Sequence, residues 1–218
     1  MLKLPKTLIR FKSSDKEHHQ QPDYKNLANC CSPVFCVITN NVNCGKSSLC
    51  KNLLIQKSPC YERIVIFSPL GEESTEYSDT IDCEIIDFIP EFDFFDKNVR
   101  NCFIIEDFGD INNLNKQQRY LLGRYYGVYS SHNNIDMYCI SQNLFDLPTS
   151  IRRLANIVFL FKNNDDELTS LLARKFHFKS KDLKIIFEDF TPFDSLCIDN
   201  TRLSDYRLRK NIYDLITI

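Results

Sequence analysis

The triplet Gly45-Lys46-Ser47 has the residue types that hold the phosphates of a nucleotide, in the loop pattern Gly, four residues, Gly-Lys-Ser/Thr. Asn40 stands where that pattern has its first glycine. The chain tends to a positive φ there, and asparagine is the non-glycine residue that tolerates it best. We therefore predict that a phosphate-binding loop survives this change, formed by Asn40, Asn41, Val42, Asn43, Cys44, Gly45, Lys46, Ser47 and Ser48.

The loop pattern assigns a role to each end of this stretch. Its backbone N–H groups, with the positive end of the following helix, would face the phosphates of ATP. Lys46 would contact the β and γ phosphates, and the Ser47 hydroxyl would be a ligand of Mg²⁺. Because a Gly-Lys-Ser triplet also arises by chance, the prediction depends on the elements around it.

Two carboxylates, Glu106 and Asp107, directly follow the apolar run "NCFII". ATP hydrolysis needs such a pair at a strand end, because one carboxylate holds Mg²⁺ and the next polarises the attacking water. The usual order is aspartate and then glutamate, and here it is reversed. By position we assign Glu106 to Mg²⁺ and Asp107 to the water. The alternative is a pair of solvated carboxylates at a strand end.

Two further features have the chemistry of phosphoryl transfer. Gln142 follows the apolar run "IDMYCIS" and would place an amide beside the γ phosphate, although it is equally suited to be a polar cap of a strand. Arg152 and Arg153 precede the run "IVFLF". A guanidinium supplied by a neighbouring subunit stabilises the charge of the transition state, and a surface pair is the alternative.

The elements that must position these residues are visible in the pattern of apolar residues. Near-continuous apolar runs, typical of strands buried on both faces of a sheet, lie at 34–38, 63–68, 102–105, 136–141 and 157–161. Further strands are expected at 83–88 and 195–198, and helical spacing is seen at 46–56, 115–129 and 165–177. Strands that alternate with helices predict an α/β fold with a mostly parallel sheet flanked by helices.

Length and composition restrict the remaining possibilities. The 218 residues suit one sizeable domain at 28–218, with a basic C-terminal segment, after a polar and mildly basic arm at 1–27. The net charge is −2, but a balanced chain can still present one basic face to DNA. An acidic stretch at 72–96 is interpreted as a solvated face.

The cysteines and the hydropathy indicate where the protein works. The cysteines form no Cys-x-x-Cys pair, and several lie in apolar runs, as buried thiols of a reducing compartment do. No stretch reads as a signal peptide or approaches the span of a membrane helix. We therefore expect a soluble, intracellular protein with no membrane partner.

With these motifs in order, the chain resembles the viral genome-packaging ATPases of the FtsK–HerA superfamily. The most similar group is the poxvirus type, which is also found in virophages, Maverick/Polinton elements and giant viruses. The resemblance covers roughly residues 34 to 214. It rests on the stretches "CVITNNVNCGKSSLCKNLL", "RIVIFSP", "CFIIEDF", "YYGVYSSHNNIDMYCISQNLFDLPTSIRRLANIVFLFK" and "FTPFDSLCIDNTRLSDYRLRKNIYD".

This resemblance implies a P-loop NTPase with a RecA-like (ASCE) sheet, acting as an ATP-driven motor. Its subunits would form a homo-oligomeric ring that moves double-stranded DNA into a capsid, with viral capsid proteins as partners. The cofactors implied are ATP and Mg²⁺. Gln142 would sense the γ phosphate, and Arg152 or Arg153 would complete the site of the next subunit. The location implied is the host-cell cytoplasm, the viral assembly site or the virion.

Two other functions remain open on the sequence alone. A small P-loop kinase would need an arginine-rich lid, and the segment "NNDDELTSLLARKF" suits that role poorly. A degenerate P-loop module, which binds nucleotide or none and acts as an assembly or DNA-binding subunit, would be consistent with Asn40 and with the reversed carboxylates. DNA-stimulated turnover would exclude the degenerate module, and phosphate transfer to a small acceptor would favour the kinase.

Overall fold

The apolar runs form the strands of one sheet in the computed structural model, which describes residues 33–57, 60–68, 77–106, 114–163, 165–201 and 207–216. The predicted runs match strands within a few residues, and the run at 157–161 matches its strand fully. The strands are β1 (Phe35–Thr39), β2 (Arg63–Phe67), β3 (Glu84–Ile86), β4 (Asn101–Ile105), β5 (Ile135–Ser141), β6 (Ile157–Phe161), β7 (Ser195–Asp199), β8 (Leu208–Lys210) and β9 (Asp214–Leu215).

The sheet has the strand order β3-β2-β4-β5-β1-β6-β7-β8-β9. The strands β3, β2, β4, β5, β1 and β6 are parallel to one another. The strands β7, β8 and β9 continue the sheet, each antiparallel to the strand before it. The expected mostly parallel sheet is therefore confirmed. The carboxyl ends of β4, β5, β1 and β6 meet at one edge, which we call the carboxyl edge.

Helices cover both faces of this sheet, because the central strands are apolar on both sides. Side chains of β1 alternate between two buried clusters, with Cys36 and Ile38 on one face and Val37 on the other. The helices are α1 (Lys46–Gln56), α2 (Lys116–Arg124), α3 (Ser130–His132), α4 (Thr149–Leu154), α5 (Asp166–Phe176) and α6 (Ser180–Glu188). One cluster includes α1, and the other includes α2, α4, α5 and α6.

The helix predicted at 115–129 is interrupted by a π-helical segment, Tyr125–Tyr129, which joins α2 to α3. Gly123 and Gly127 weaken a regular helix here. The wider turn also lets the adjacent side chains of Tyr125 and Tyr126 both be buried, at 0% and 2% exposure. A capping box at Asn115 fixes where α2 begins.

Two expectations about the whole chain have different outcomes. Buried thiols were expected, and the cysteines that the structure describes are all free, with most of them buried: Cys36, Cys44, Cys50, Cys102, Cys139 and Cys197.

The division into an arm at 1–27 and a domain at 28–218 stays a prediction, because residues 1–32 lie outside the described part. Among the described helices, none has the length and hydropathy needed to cross a bilayer.

Candidate nucleotide-binding site

The loop after β1 has the backbone that a phosphate-binding loop requires. Asn40 has a φ of 141°, Asn43 of 59° and Gly45 of 99°. The positive φ expected at Asn40 is therefore confirmed. At Gly45 an added Cβ would meet only Phe161, at 3.8 Å, so the backbone conformation rather than space demands glycine.

The Asn40 side chain does more than tolerate its backbone. Its amide nitrogen donates hydrogen bonds to the carbonyl oxygens of Phe161 and Lys162, both at 2.8 Å. Its backbone N–H also donates to the carbonyl oxygen of Ser141, at 3.3 Å. Asn40 is 6% exposed and joins the loop to the ends of β5 and β6. A glycine in this place could not make the two side-chain bonds.

Lys46 is the first residue of α1, and its ammonium group lies against the loop. The Nζ atom donates to the carbonyl oxygens of Asn40, at 2.9 Å, and Asn41, at 2.7 Å. The first turn of α1 contains no acidic residue that would neutralise the positive end of the helix. Ser47 is half-buried and Ser48 is exposed at the same helix end. Phosphates bound here would meet a lysine, a helix N-terminus and two hydroxyls.

Cys44 places a thiol inside the loop. Burial raises the pKa of this thiol, although the nearby Lys46 ammonium and backbone N–H groups act in the opposite direction. The thiol is therefore neutral at neutral pH and adds no negative charge beside the phosphates. Val42 and the other loop side chains at 41–43 point to solvent.

The strand order places Gln142 and Glu106 near the loop. The register pairs Thr39 of β1 with Ser141 of β5, so Asn40 and Gln142 leave the sheet side by side. Because β5 lies between β1 and β4, Glu106 lies two strands from the loop, at the same edge. Glu106 is 6% exposed, and its N–H donates to the carbonyl oxygen of Phe67 at 3.0 Å. Asp107 lies outside the described residues.

The two arginines are not brought to the carboxyl edge of their own chain. They lie in the last turn of α4, which leads to the amino end of β6. Arg152 lies over the ring of Phe145, at 5.7 Å, and donates to Thr149 Oγ1 at 3.2 Å. Arg153 is exposed. Neither arginine is among the described residues that line the cavities beside the loop.

A cavity of about 750 Å³ adjoins the phosphate loop. Sequence reasoning missed one wall of it, because that wall comes from the segments at the ends of β7 and β8. The residues of that wall are Phe193, Ser195, Asn211, Ile212 and Tyr213, and the loop and α1 contribute Asn43, Cys44, Gly45, Lys46, Ser47, Ser48, Leu49, Asn52 and Gln56. Phe161 of β6 forms the floor between them.

Asp194 fixes the two segments that form this wall. Its carboxylate accepts hydrogen bonds from the N–H and hydroxyl of Thr191, at 2.7 and 2.8 Å, and from Asn211 at 3.1 Å. It also pairs with Lys210 at 3.0 Å. Burial opposes ionisation, but these hydrogen bonds outweigh it and hold the pKa of Asp194 well below its usual range.

A second, polar cavity of about 690 Å³ lies on the other side of the loop, at the ends of β1, β5 and β6. Thr39, Asn40, Asn41 and Gln142 line it together with Lys162. The Lys162 ammonium donates to the carbonyl oxygen of Phe190. Gln142 is exposed in this cavity, so its amide remains accessible from the loop side.

Basic side chains of separate segments gather at the opposite, amino edge of the sheet. Lys175 of α5 donates to the carbonyl oxygen of Ala155 at 3.0 Å, and burial lowers its pKa to about 8. Arg207 donates to the carbonyl oxygen of Phe176 at 2.9 Å. These segments carry what we call the basic end: Arg174, Lys179, Lys181 and Arg207. Asp182 is a carboxylate of the same region.

The residues at the carboxyl edge suit a hard cation as well as phosphates. Ser47 offers a hydroxyl oxygen at the start of α1, and Glu106 offers a carboxylate that the fold holds at the end of β4. Oxygen donors of these kinds are those that Mg²⁺ prefers. Among the described residues no cluster of histidine, cysteine and carboxylate ligands could hold a metal ion by itself. The donor set therefore fits Mg²⁺ that is bound together with a nucleotide.

Comparison with known proteins relates this architecture to a class of ATPases. No protein family and no curated protein is matched by the sequence. Among solved structures, B204, the DNA-packaging ATPase of Sulfolobus turreted icosahedral virus, has a TM-score of 0.58 and 13% identity. The match covers 85% of this chain and 100% of that chain.

Two further structures extend the likeness. Genome packaging NTPase B204 of Sulfolobus turreted icosahedral virus 2, in complex with AMPPCP, has a TM-score of 0.56 and 15% identity over 83% of this chain and 97% of that chain. The Type VII secretion ATPase EccC of Thermomonospora curvata has a TM-score of 0.55 and 10% identity over 89% of this chain and 27% of that chain. At these identities the likeness establishes the fold, and the expected P-loop ATPase architecture is confirmed.

Proposed function

We propose that this chain, which has the fold of viral genome packaging NTPases and FtsK-like ATPases, is an ATPase subunit of a motor that packages double-stranded DNA into a viral capsid. The observation that carries the proposal is the loop from Asn40 to Lys46 at the carboxyl edge. It combines the backbone of a phosphate-binding loop, a buried lysine and a helix N-terminus, with Glu106 and Gln142 at the same edge.

Binding of ATP begins with the loop. Lys46 exchanges its hydrogen bonds to the carbonyl oxygens of Asn40 and Asn41 for the β and γ phosphates. The backbone N–H groups at the start of α1 face the same phosphates. Ser47 and Glu106 would hold Mg²⁺, which when bound would withdraw charge from the phosphate oxygens. Asn40 keeps the loop attached to β6 while Lys46 changes its hydrogen-bond partners.

Hydrolysis requires a water in line with the γ phosphate. Asp107, the residue after Glu106, would accept its proton as general base. Gln142 would lie beside the γ phosphate, because it leaves the sheet next to the first residue of the loop. Its amide would then distinguish ATP from ADP by whether the γ phosphate is present.

The arginines favour an oligomer. Because Arg152 and Arg153 lie in the last turn of α4, which leads away from the carboxyl edge, we assign the guanidinium to the nucleotide of a neighbouring subunit. Arg153 suits this role better than Arg152, whose guanidinium already lies over Phe145. A head-to-tail ring supplies one such arginine to every site.

The basic end supports DNA as the partner. Its cations come from the end of α5, the α5–α6 connection, the start of α6 and the residue before β8, in a chain whose net charge is −2. Such a local excess attracts the phosphates of DNA without selecting a sequence, as a packaging motor requires. Work of this kind would take place in the host-cell cytoplasm or at the assembly site, in contact with capsid proteins.

Measurement of ATP hydrolysis with and without double-stranded DNA tests the proposal. We expect DNA to stimulate a Mg²⁺-dependent turnover that Lys46→Ala abolishes. Lys51→Ala, on the same helix, is the matched control and should keep the activity. Nucleotide binding without turnover under any condition would indicate the degenerate binding module, and phosphate transfer to a nucleoside or metabolite would indicate the kinase.

A further inference from the structure

We propose that the nucleobase of the bound nucleotide stacks on Tyr213 and Phe193 in the cavity beside the phosphate loop, and that this subsite accepts adenine and guanine alike. The inference rests on the proposed function, since it concerns the base of the same nucleotide. It adds residues that lie far from the loop in sequence, and it implies a nucleotide hydrolase that is not restricted to ATP.

The position of the cavity defines which part of a nucleotide it takes. The phosphate loop, with Lys46 and Ser47, lines one part of the cavity, and the wall that carries Phe193 and Tyr213 lines another. A nucleotide whose phosphates lie on the loop can therefore place its base against this wall. A volume of about 750 Å³ is in the range of pockets that enclose small ligands.

The wall exposes aromatic surface that the fold itself does not use. Phe193 is 70% exposed and Tyr213 is 59% exposed, although both line the cavity. Isolated exposed aromatics are common, but two at the same cavity offer faces on which a base can stack. Stacking of a base on an aromatic side chain is favourable for every base, because each has a π face.

The segments that carry these rings are held in place before a ligand binds. Asp194, next to Phe193, binds Lys210 and Asn211. Asn211 Oδ1 in turn accepts hydrogen bonds from the N–H of Ser195, at 2.8 Å, and from its hydroxyl, at 3.2 Å. The two rings therefore sit on joined segments, so little further ordering is needed when a base binds.

Strong selection between bases needs buried polar groups that only the correct base can satisfy. Among the described residues, the buried side-chain atoms without a hydrogen-bond partner do not include any from this cavity. The buried Ser195 and the half-buried Asn211 are already bonded to each other. Asn52, on α1, is exposed and donates to the carbonyl oxygen of Ser48. The other amides that line the cavity, Asn43 and Gln56, are exposed and half-buried respectively. The side chains of the cavity thus offer stacking without a buried reader of the base edge.

Equilibrium binding of radiolabelled nucleotides to the full chain tests this proposal, and steady-state hydrolysis accompanies it. We expect Kd values for ATP and GTP within about fivefold of each other. Tyr213→Ala and Phe193→Ala should each weaken binding of both nucleotides about tenfold, in line with the loss of one stacked ring. The kcat at saturation should change little, and Tyr213→Phe should bind as the wild type does. Tyr120→Ala, which removes an exposed aromatic of α2, is the control.

Each of the other outcomes would refute one part of the proposal. A preference for ATP over GTP of more than a hundredfold would refute the lack of base selection. Unchanged Kd values in both alanine variants, with Lys46-dependent hydrolysis intact, would refute the stacking site and leave the proposed function standing. If the wild type bound neither nucleotide, the proposed function would fail together with this subsite.

Discussion

The side-chain amide of Asn40 donates a hydrogen bond to the carbonyl oxygen of Phe161, at 2.8 Å, and so joins the phosphate loop to the end of β6. A second bond from the same nitrogen reaches the carbonyl oxygen of Lys162. The residue that departs from the loop pattern is therefore a fixed contact between the loop and the sheet. Glycine would adopt the positive φ at this position without strain. Asparagine tolerates the same φ and adds two side-chain hydrogen bonds that glycine cannot make.

Substitutions at Asn40 separate these two contributions. Asn40→Gly keeps the positive φ but loses both bonds, so we expect it to lower the free energy of unfolding by about 1–2 kcal/mol and to weaken ATP binding. Asn40→Ala adds the strain of a positive φ, of roughly 1–2 kcal/mol more. Denaturant unfolding and nucleotide titration measure both effects. A glycine variant as stable as the wild type would show that the two bonds do not stabilise the loop.

Single substitutions distinguish the roles of Glu106 and Asp107. Asp107→Asn should keep Mg²⁺-dependent ATP binding and lower turnover by about 100-fold or more, because it removes a general base. Glu106→Gln should weaken the Mg²⁺ dependence of binding as well as turnover, because it removes a ligand of the cation. Titration of ATP with and without Mg²⁺, together with kcat, separates the two patterns. The reverse pattern would mean that the carboxylates exchange roles.

The lowered pKa of Asp194 predicts a pH dependence of stability. A carboxyl group whose folded-state pKa lies below its unfolded value, about 3.9, stabilises the fold above that value and loses this contribution as the pH falls through the folded-state pKa. Asp194→Asn should therefore lower the free energy of unfolding by about 1–2 kcal/mol at pH 7. The difference from the wild type should stay constant down to about pH 5 and shrink near pH 3.5. A difference that grew on acidification would exclude this role of Asp194.

The basic end predicts the salt dependence of DNA binding. A triple variant with Arg174→Gln, Lys179→Gln and Lys181→Gln should bind duplex DNA more weakly at every sequence. Its slope of log K against log salt should be shallower by about 2–3, since each lost phosphate contact contributes about 0.9. The double variant Lys116→Gln and Arg119→Gln, which removes exposed cations of α2, should keep the wild-type slope. Equal slopes in all three proteins would place the DNA on another surface.

The sequence predicts those parts of the fold that are marked by a pattern of neighbouring residues. The strands β1, β4, β5 and β6 are near-continuous apolar runs, the pattern that is typical of strands buried on both faces of a sheet. The helix α1 follows from the loop pattern that precedes it. The π-helical segment was not predicted. A regular helical period does not bury two adjacent side chains on the same face, as happens with Tyr125 and Tyr126.

The parts that were missed depend on tertiary contacts. The apolar residues Leu183 and Phe187 give α6 a buried face, but the lysines among them favoured the interpretation of a basic surface segment. The strand β8 is three residues long and contains the fully buried Arg209, so it lacks an apolar pattern. Phe193 and Tyr213 reach the cavity only because β7 and β8 pair antiparallel beside β6. No local pattern marks either residue as part of a site.

Displacement of a third DNA strand from a triplex tests most directly whether this chain moves along DNA. A short third strand is annealed at one end of linear duplexes of increasing length, and its release is followed after addition of Mg²⁺ and ATP. We expect release that requires ATP, is lost in Lys46→Ala, and begins later on longer duplexes. ATP hydrolysis that is stimulated by DNA but releases no third strand on any duplex would contradict translocation.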